Sequence, residues 1–347
     1  MRKSWAVVTL LVGCATRPAP ERAAPKPSAP VAVASSPAPS ASVVANEPVA
    51  EEKPKPPAVS AAEAEKVLFL GKTPSSVTNA CASSVGDEAR IRCLLTQRYD
   101  GDAAAQKLAL DLYAQSGDVA GLEPRQMFDG GYRGIIELVP ELPVGKHRKH
   151  LAWVEEGTRD FDRVYAALDL AAAATGKKIG YRWRALTLRF FRSVDRTTPN
   201  GFAKDWSYAY NVSGSLLHSA VAVRELMVHE IFHLNDGGHD EWSSSALAKV
   251  QEDVIKKCGK DIACLTPYAP HDTIVKGGTY YAFQPGNGPW EYAAELAVRH
   301  FREHRAVLDK QKLPGKAFKC GPAPNGKAWQ LFVDEFWAGL DLVPACP

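Results

Sequence analysis

The sequence has no strong excess of charge of either sign. Its formal net charge is only +3 over 347 residues. Proteins that bind nucleic acid through its phosphates usually carry a clear basic surplus, so we predict no nucleic-acid partner. The one basic cluster, at residues 146–150, is the kind of charge run that usually forms a solvated loop.

The chain also lacks an apolar run long enough to form a transmembrane helix. At the N-terminus, Arg2 and Lys3 precede a short apolar stretch at residues 5–12, as in a secretory signal peptide. The sequence Leu-Val-Gly-Cys at residues 11–14 resembles a bacterial lipobox, with an ordinary secretory signal as the alternative. The resemblance implies an exported envelope protein that is anchored to a membrane by a lipid on Cys14 and does not span it.

No Cys-x-x-Cys pair is present, which argues against a zinc ribbon. Besides Cys14 the chain has six cysteines, and an even number in an exported protein favours disulfides over thiolate metal sites. Six cysteines allow fifteen pairings. Short loops favour three of these pairings, namely Cys81–Cys93, Cys258–Cys264 and Cys320–Cys346.

Aromatic residues are scarce between residues 15 and 60, where Ala, Pro, Ser and Val dominate. Such a segment cannot bury a core, and its proline content predicts an extended tether. We therefore expect a signal peptide at residues 1–14, the tether at 15–60, a helical subdomain at 61–149 and a catalytic domain at 150–347.

Hydrophobic periodicity predicts an α+β fold. Helical spacing and capping signals indicate helices at residues 61–70, 103–116, 158–174, 219–234, 289–308 and 328–340. Short apolar or alternating runs indicate strands at residues 135–139, 185–194 and 206–212. We expect residues 206–212 to form the edge of a small mixed sheet. This sheet should pack on the helix at 219–234 and on the later helix at 289–308.

The most specific motif is His229-Glu230-Ile231-Phe232-His233. Residues four apart share one face of a helix, so His229 and His233 can bind the same metal ion. Glu230 would lie beside the ion and act as the general base for a bound water. Apolar neighbours predict a buried helix, where such polar groups are costly unless something pairs with them. A structural histidine pair is the alternative.

Three residues compete to be the third metal ligand. His239 has the spacing of the metzincin signature HExxHxxGxxH, but Asp236 occupies its glycine position. No methionine follows Met227 to form the Met-turn of metzincins. Glu291 and Glu295 lie one turn apart near the start of a helix whose small residues permit close packing on the motif helix.

The segment Glu291-Tyr292-Ala293-Ala294-Glu295 after an HExxH helix resembles the gluzincin branch of the zincin metallopeptidases. It is particularly similar to the catalytic domain of the anthrax lethal factor type. The resemblance implies that Glu291 is the third zinc ligand and that Glu295 orients a ligand histidine. It also implies that Tyr281 steadies the oxyanion, with Tyr280 as the alternative.

The resemblance covers roughly residues 185–304 and implies zinc-dependent hydrolysis of peptide bonds in a peptide or protein substrate. Two other functions remain open: a non-catalytic binding or structural lipoprotein on the same scaffold, and a zinc amidase that acts on cell-wall peptides.

Two further sequence features are weaker candidates for a metal site. The inverted motif at residues 300–304 has arginine neighbours that predict a solvent-facing segment. His271 and Asp272 are expected to lie in a loop, with an approach to the metal as the alternative.

Overall fold

The structure is a computed structural model that describes residues 59–130, 134–183, 185–275, 278–313 and 315–347. The signal peptide, Cys14 and nearly all of the tether expected at residues 15–60 lie outside the described residues. Among the described helices, none combines the length and the apolar character that crossing a membrane requires.

The described chain has runs of helices and runs of strands, which confirms the α+β class. The helices are α1 (Ala61–Phe69), α2 (Ser75–Ala80), α3 (Asp87–Arg98), α4 (Ala103–Ser116), α5 (Arg148–Ala173), α6 (Ala220–Gly238), α7 (Trp242–Ala246), α8 (Ala248–Cys258), α9 (Ile262–Leu265), α10 (Pro289–Leu308) and α11 (Ala323–Trp337). The strands are β1 (Val119–Leu122), β2 (Gln126–Asp129), β3 (Ile135–Pro140), β4 (Thr187–Ser193), β5 (Gly201–Lys204) and β6 (Ser207–Asn211).

The strands form one mixed sheet in the order β2-β3-β4-β6-β5, with β1 paired to β4. Strand β1 runs parallel to the first part of β4, with Val119 opposite Thr187. Strand β3 runs antiparallel to the last part, with Leu138 opposite Ser193. Strand β6 lies between β4 and β5, so the prediction that residues 206–212 form the sheet edge is wrong. A short hairpin adds β5 outside β6 and makes β5 the edge.

Residues before position 150 contribute three strands to this sheet as well as four helices. The segment expected to be a helical subdomain is therefore not purely helical, and the sheet contains strands from both sides of that boundary. The four residues of β1 are all buried, so they show none of the alternation by which a strand is recognised in a sequence.

Helix α5 begins ten residues earlier than its predicted start at residue 158. The basic cluster at residues 146–150 is therefore not a loop, because it forms a short 3-10 turn that leads into α5. His150 is buried, and its Nδ1 lies 2.8 Å from the hydroxyl oxygen of Tyr210. Because this ring is buried against the sheet, residues 148–150 are held in the first turn of α5 instead of a solvated loop.

Helices α6 and α10 position the candidate site. Helix α6 is capped by Ser219, whose side-chain oxygen accepts a hydrogen bond from the backbone N–H of Ala222 at 3.2 Å. It lies between α5 and α10, so the residues of its central turns are buried. Helix α10 starts at Pro289, as predicted, because proline suits the first turn of a helix.

The three expected disulfides are formed, which confirms the pairing from short loops. They join Cys81 to Cys93, Cys258 to Cys264 and Cys320 to Cys346. Structural disulfides persist in oxidising compartments, so their presence indicates an exported protein.

Gly121 gives a test of the packing between β1 and α1. A Cβ atom at this position would lie 2.4 Å from Cγ1 of Val67 and 2.7 Å from its backbone oxygen. Replacing Gly121 by alanine should therefore lower the free energy of unfolding by about 1–3 kcal/mol, measured by chemical denaturation. The control is Gly237→Ala in α6, where the space is open and the change should be neutral or stabilising by at most about 1 kcal/mol. Unchanged stability of Gly121→Ala would contradict the packing.

Candidate metal centre

Side chains from α6 and α10 converge on one point. His229 Nε2 lies 3.1 Å from His233 Nε2 and 3.1 Å from Glu291 Oε2. His233 Nε2 lies 3.8 Å from the same oxygen of Glu291. The histidines are one helical turn apart on α6, and Glu291 comes from the first turn of α10. Two imidazole nitrogens and one carboxylate oxygen therefore form a triangle, which we call the His-His-Glu triad.

The size of this triangle fits a metal ion. Atoms that each lie 2.0–2.1 Å from a tetrahedral ion are about 3.3 Å from one another. Among the described residues, the triad is the one group of histidine, cysteine, aspartate and glutamate with suitable mutual distances. The group could hold a metal ion, and its donor atoms suit zinc and other divalent transition metals.

The electrostatics of the triad favour a positive charge at its centre. Burial lowers the pKa of His229, but hydrogen bonds that the protonated ring donates to Glu291 and Glu295, together with the charges of these carboxylates, outweigh burial and raise it to about 10. Burial lowers the pKa of His233 to about 4, so this ring is neutral and can offer a lone pair. Burial alone would raise the pKa of Glu291, but the two histidines hold it below the usual value. A divalent cation can supply the charge that a proton on His229 would otherwise provide.

Glu295 and His239 were the other candidates for the third ligand, and neither joins the triad. Glu295 lies behind His229, with its Oε1 3.2 Å from the Nδ1 of that ring. This is the position of a group that orients a ligand histidine. His239 Nδ1 lies 2.6 Å from Glu335 Oε1, and its ring packs on Phe336. The turn after α6 therefore directs His239 away from the triad.

Glu230 is fully buried beside the triad. Among the described residues, neither of its carboxylate oxygens has a hydrogen-bond partner, although the backbone amide of Ala203 in β5 is close enough to lower its pKa. Burial raises the pKa of Glu230 to about 8, with a smaller contribution from Glu291 and an opposing one from His229. A buried carboxyl group without partners is costly, so its presence points to a functional role.

Tyr281 supplies a hydroxyl group next to the triad. Its ring centroid lies 5.9 Å from that of His229, and its hydroxyl group faces Glu291. Burial and the charge of Glu291 raise its pKa, so the phenol stays protonated at neutral pH. The hydroxyl oxygen of Tyr280 instead lies 3.1 Å from Thr266 Oγ1. Of the two tyrosines left open by the sequence, Tyr281 is the one beside the triad.

The inverted motif at residues 300–304 is buried, so the prediction that it faces solvent is wrong. The rings of His300 and His304 stack with their centroids 3.9 Å apart. Glu303 accepts hydrogen bonds from Arg299 Nε at 2.5 Å and from the backbone N–H of Phe318 at 2.9 Å. These contacts hold α10 against its neighbours. The neighbouring arginines had suggested exposure, but their side chains are partly buried and pair with carboxylates, Arg299 with Glu303 and Arg302 with Glu225.

Glu225, near the site, was not identified from the sequence, and His271 was expected to lie in a loop, with an approach to the metal as the alternative. Glu225 lies on α6 four residues before His229, and that spacing is a signal that could have revealed it. His271 lies beyond α9 and contacts Glu295, with 3.2 Å between His271 Nδ1 and Glu295 Oε2. No local pattern reveals this contact, because the two residues meet only in the folded chain.

Comparison with known proteins gives no match. No model of a protein family matches the chain, and neither a curated protein nor a solved structure is found to be similar to it. The functional interpretation therefore depends on the residues of the site.

Proposed function

We propose that this protein is a zinc-dependent peptidase with a zincin-type core of the gluzincin branch. The observation that carries the proposal is the convergence of His229, His233 and Glu291 beside the buried, unpartnered carboxyl group of Glu230. Zinc in such a triad would polarise the scissile carbonyl and lower the pKa of a water to about 7.

Glu230 has the central chemical role in this proposal. A divalent cation in the triad would favour the ionised form of Glu230, so one carboxylate oxygen would take the proton of the attacking water and the same group would later return it to the nitrogen of the leaving amine. His229, His233 and Glu291 would hold the ion. Glu295 fixes the ring of His229 through the contact at Nδ1.

The position of β5 supports a peptide as the substrate. Strand β5 forms the edge of the sheet, and Ala203 brings it next to Glu230. A free strand edge can bind an extended peptide through backbone hydrogen bonds. The scissile bond of a peptide added to this edge would then lie near the general base.

Tyr281 is proposed to donate a hydrogen bond to the oxyanion that forms on the scissile carbonyl. Replacing it by phenylalanine should lower kcat about 10²- to 10³-fold, because one oxyanion donor is lost while the metal ligands are unchanged. Tyr280→Phe is the matched control, since that hydroxyl group contacts Thr266 outside the triad. Steady-state kinetics on a cleaved peptide would measure both variants. Equal effects of the two substitutions would argue against the assignment of Tyr281.

The proposed location is the cell envelope. Three disulfides favour export. The N-terminal sequence with its lipobox-like cysteine, Cys14, supports a lipid anchor. Labelling of cells with a radioactive fatty acid would test the anchor, because a Cys14→Ser variant should lose the label.

The direct test of the function is hydrolysis of an unstructured protein such as casein. We expect cleavage that a metal chelator abolishes and that added Zn²⁺ restores. Release of products from cell-wall peptides, without cleavage of casein, would favour the amidase alternative. Metal binding without hydrolysis of either substrate would favour a binding protein.

A further inference from the structure

His271 lies between the two helices that carry the triad. Its Nε2 is 3.3 Å from Glu225 Oε2 on α6. Its Nδ1 is 3.2 Å from Glu295 Oε2 on α10 and 2.7 Å from Thr273 Oγ1. Thr273 makes the directed hydrogen bond at Nδ1, and the contact with Glu295 is a close ion pair. One imidazole ring from a loop therefore joins α6 to α10.

His271 also lies 3.5 Å from its neighbour Asp272, but the two carboxylates it contacts on the helices are each one helical turn from a metal ligand. Glu225 precedes His229 by four residues on α6, and Glu295 follows Glu291 by four residues on α10. Glu295 also reaches the triad directly, through its 3.2 Å contact with His229 Nδ1. The two nitrogens of the His271 ring thus contact α6 and α10, each within one helical turn of a metal ligand.

We propose that His271 is a positioning residue that clamps α6 to α10 and holds Glu295 in place to orient the ligand His229. This inference rests on the metal site of the proposed function. It adds a residue that neither the HExxH motif nor the following helical segment contains.

The charges around Glu295 explain why the clamp should matter. Burial would lower the pKa of His271, but Glu295 and Glu225 outweigh it and raise the pKa to about 10, so the ring is an imidazolium ion. Glu225 has a second cation, because Arg302 Nε lies 3.3 Å from its Oε1. Among the described residues, the two imidazole rings within ion-pair distance of Glu295 are those of His271 and His229. Without His271, the buried carboxylate of Glu295 would lose its main partner outside the triad.

The test is the affinity of the full chain for Zn²⁺, measured by competition with a chromophoric chelator. His271→Ala should bind Zn²⁺ about 10- to 100-fold more weakly than the parent, the loss typical of removing a group that orients a ligand. His271→Asn should show an intermediate affinity, because its amide keeps a donor near the position of Nδ1. His239→Ala is the matched control, since it removes a histidine paired with a carboxylate, Glu335, outside the triad.

Two further measurements separate positioning from a general structural role. The visible spectrum of the Co²⁺-loaded protein should change in His271→Ala and not in His239→Ala, because only the first alters the orientation of a ligand. The activity of His271→Ala should fall most at limiting Zn²⁺ and rise as Zn²⁺ is added, since Glu230 and Tyr281 are untouched. If His271→Ala does not fold, the substitute variant is Glu225→Gln, which weakens the contact of His271 with α6. This variant should also bind Zn²⁺ more weakly than the parent.

The outcomes distinguish the inference from the proposed function. A parent protein that binds no Zn²⁺ overturns the proposed function and this inference with it. Equal Zn²⁺ affinity in the parent and in His271→Ala overturns the inference alone. An equal loss of affinity in His271→Ala and His239→Ala also overturns it, because it would reflect general destabilisation.

Discussion

Replacement of Glu230 by glutamine is expected to lower kcat/KM about 10²- to 10⁴-fold and to leave the metal bound. Glutamine has nearly the same shape, but its amide cannot take a proton from water. The donor atoms of the triad come from His229, His233 and Glu291, so metal binding does not require the carboxylate of Glu230. Steady-state kinetics and elemental analysis of the same preparation would measure both effects.

Glu335→Gln is the control for this substitution. Glu335 pairs with His239 outside the triad, so the loss of its charge should leave hydrolysis unchanged. Undiminished turnover of Glu230→Gln would rule out its role as the general base. Loss of the metal from Glu230→Gln would indicate that the carboxyl group is itself a ligand.

Replacement of Glu291 by alanine is expected to weaken metal binding by more than about 100-fold. Removal of groups that only orient a ligand costs about 10- to 100-fold, and loss of a ligand should cost more. Two histidines from one turn of α6 would remain, without the donor atom that α10 provides. Chelator competition measures the affinity, and circular dichroism checks that the variant folds.

His239→Ala separates the two possible ligand sets. If Glu291 is the third ligand, His239→Ala should bind metal as tightly as the parent, since its side chain contacts Glu335 and Phe336. If His239→Ala loses the metal while Glu291→Ala keeps it, the metzincin-like alternative is correct.

The sequence was sufficient to predict the parts of the site that depend on local geometry. Two histidines four residues apart share a helix face, whatever the rest of the fold does, so the ligands on α6 could be placed from spacing alone. Ser219 and Pro289 likewise mark the starts of α6 and α10. Glu291 lies 62 residues from His229, and only the resemblance to gluzincins connected the two.

The parts that were missed depend on contacts between distant segments. Strand β5 has four residues and too little alternation to be recognised, so β6 was assigned as the sheet edge. The residues at 300–304 looked exposed because arginines flank them in sequence, although these arginines are held in ion pairs with carboxylates of the folded chain. His271 contacts Glu225, 46 residues away, in a loop that has no periodic pattern.

The central claim is that His229, His233 and Glu291 bind a metal ion. Elemental analysis of the purified, unaltered protein after dialysis against metal-free buffer tests it most directly. We expect about one zinc ion per chain, removable by a strong chelator and restored on addition of Zn²⁺. A protein that is folded, contains no transition metal and takes none up would contradict the claim.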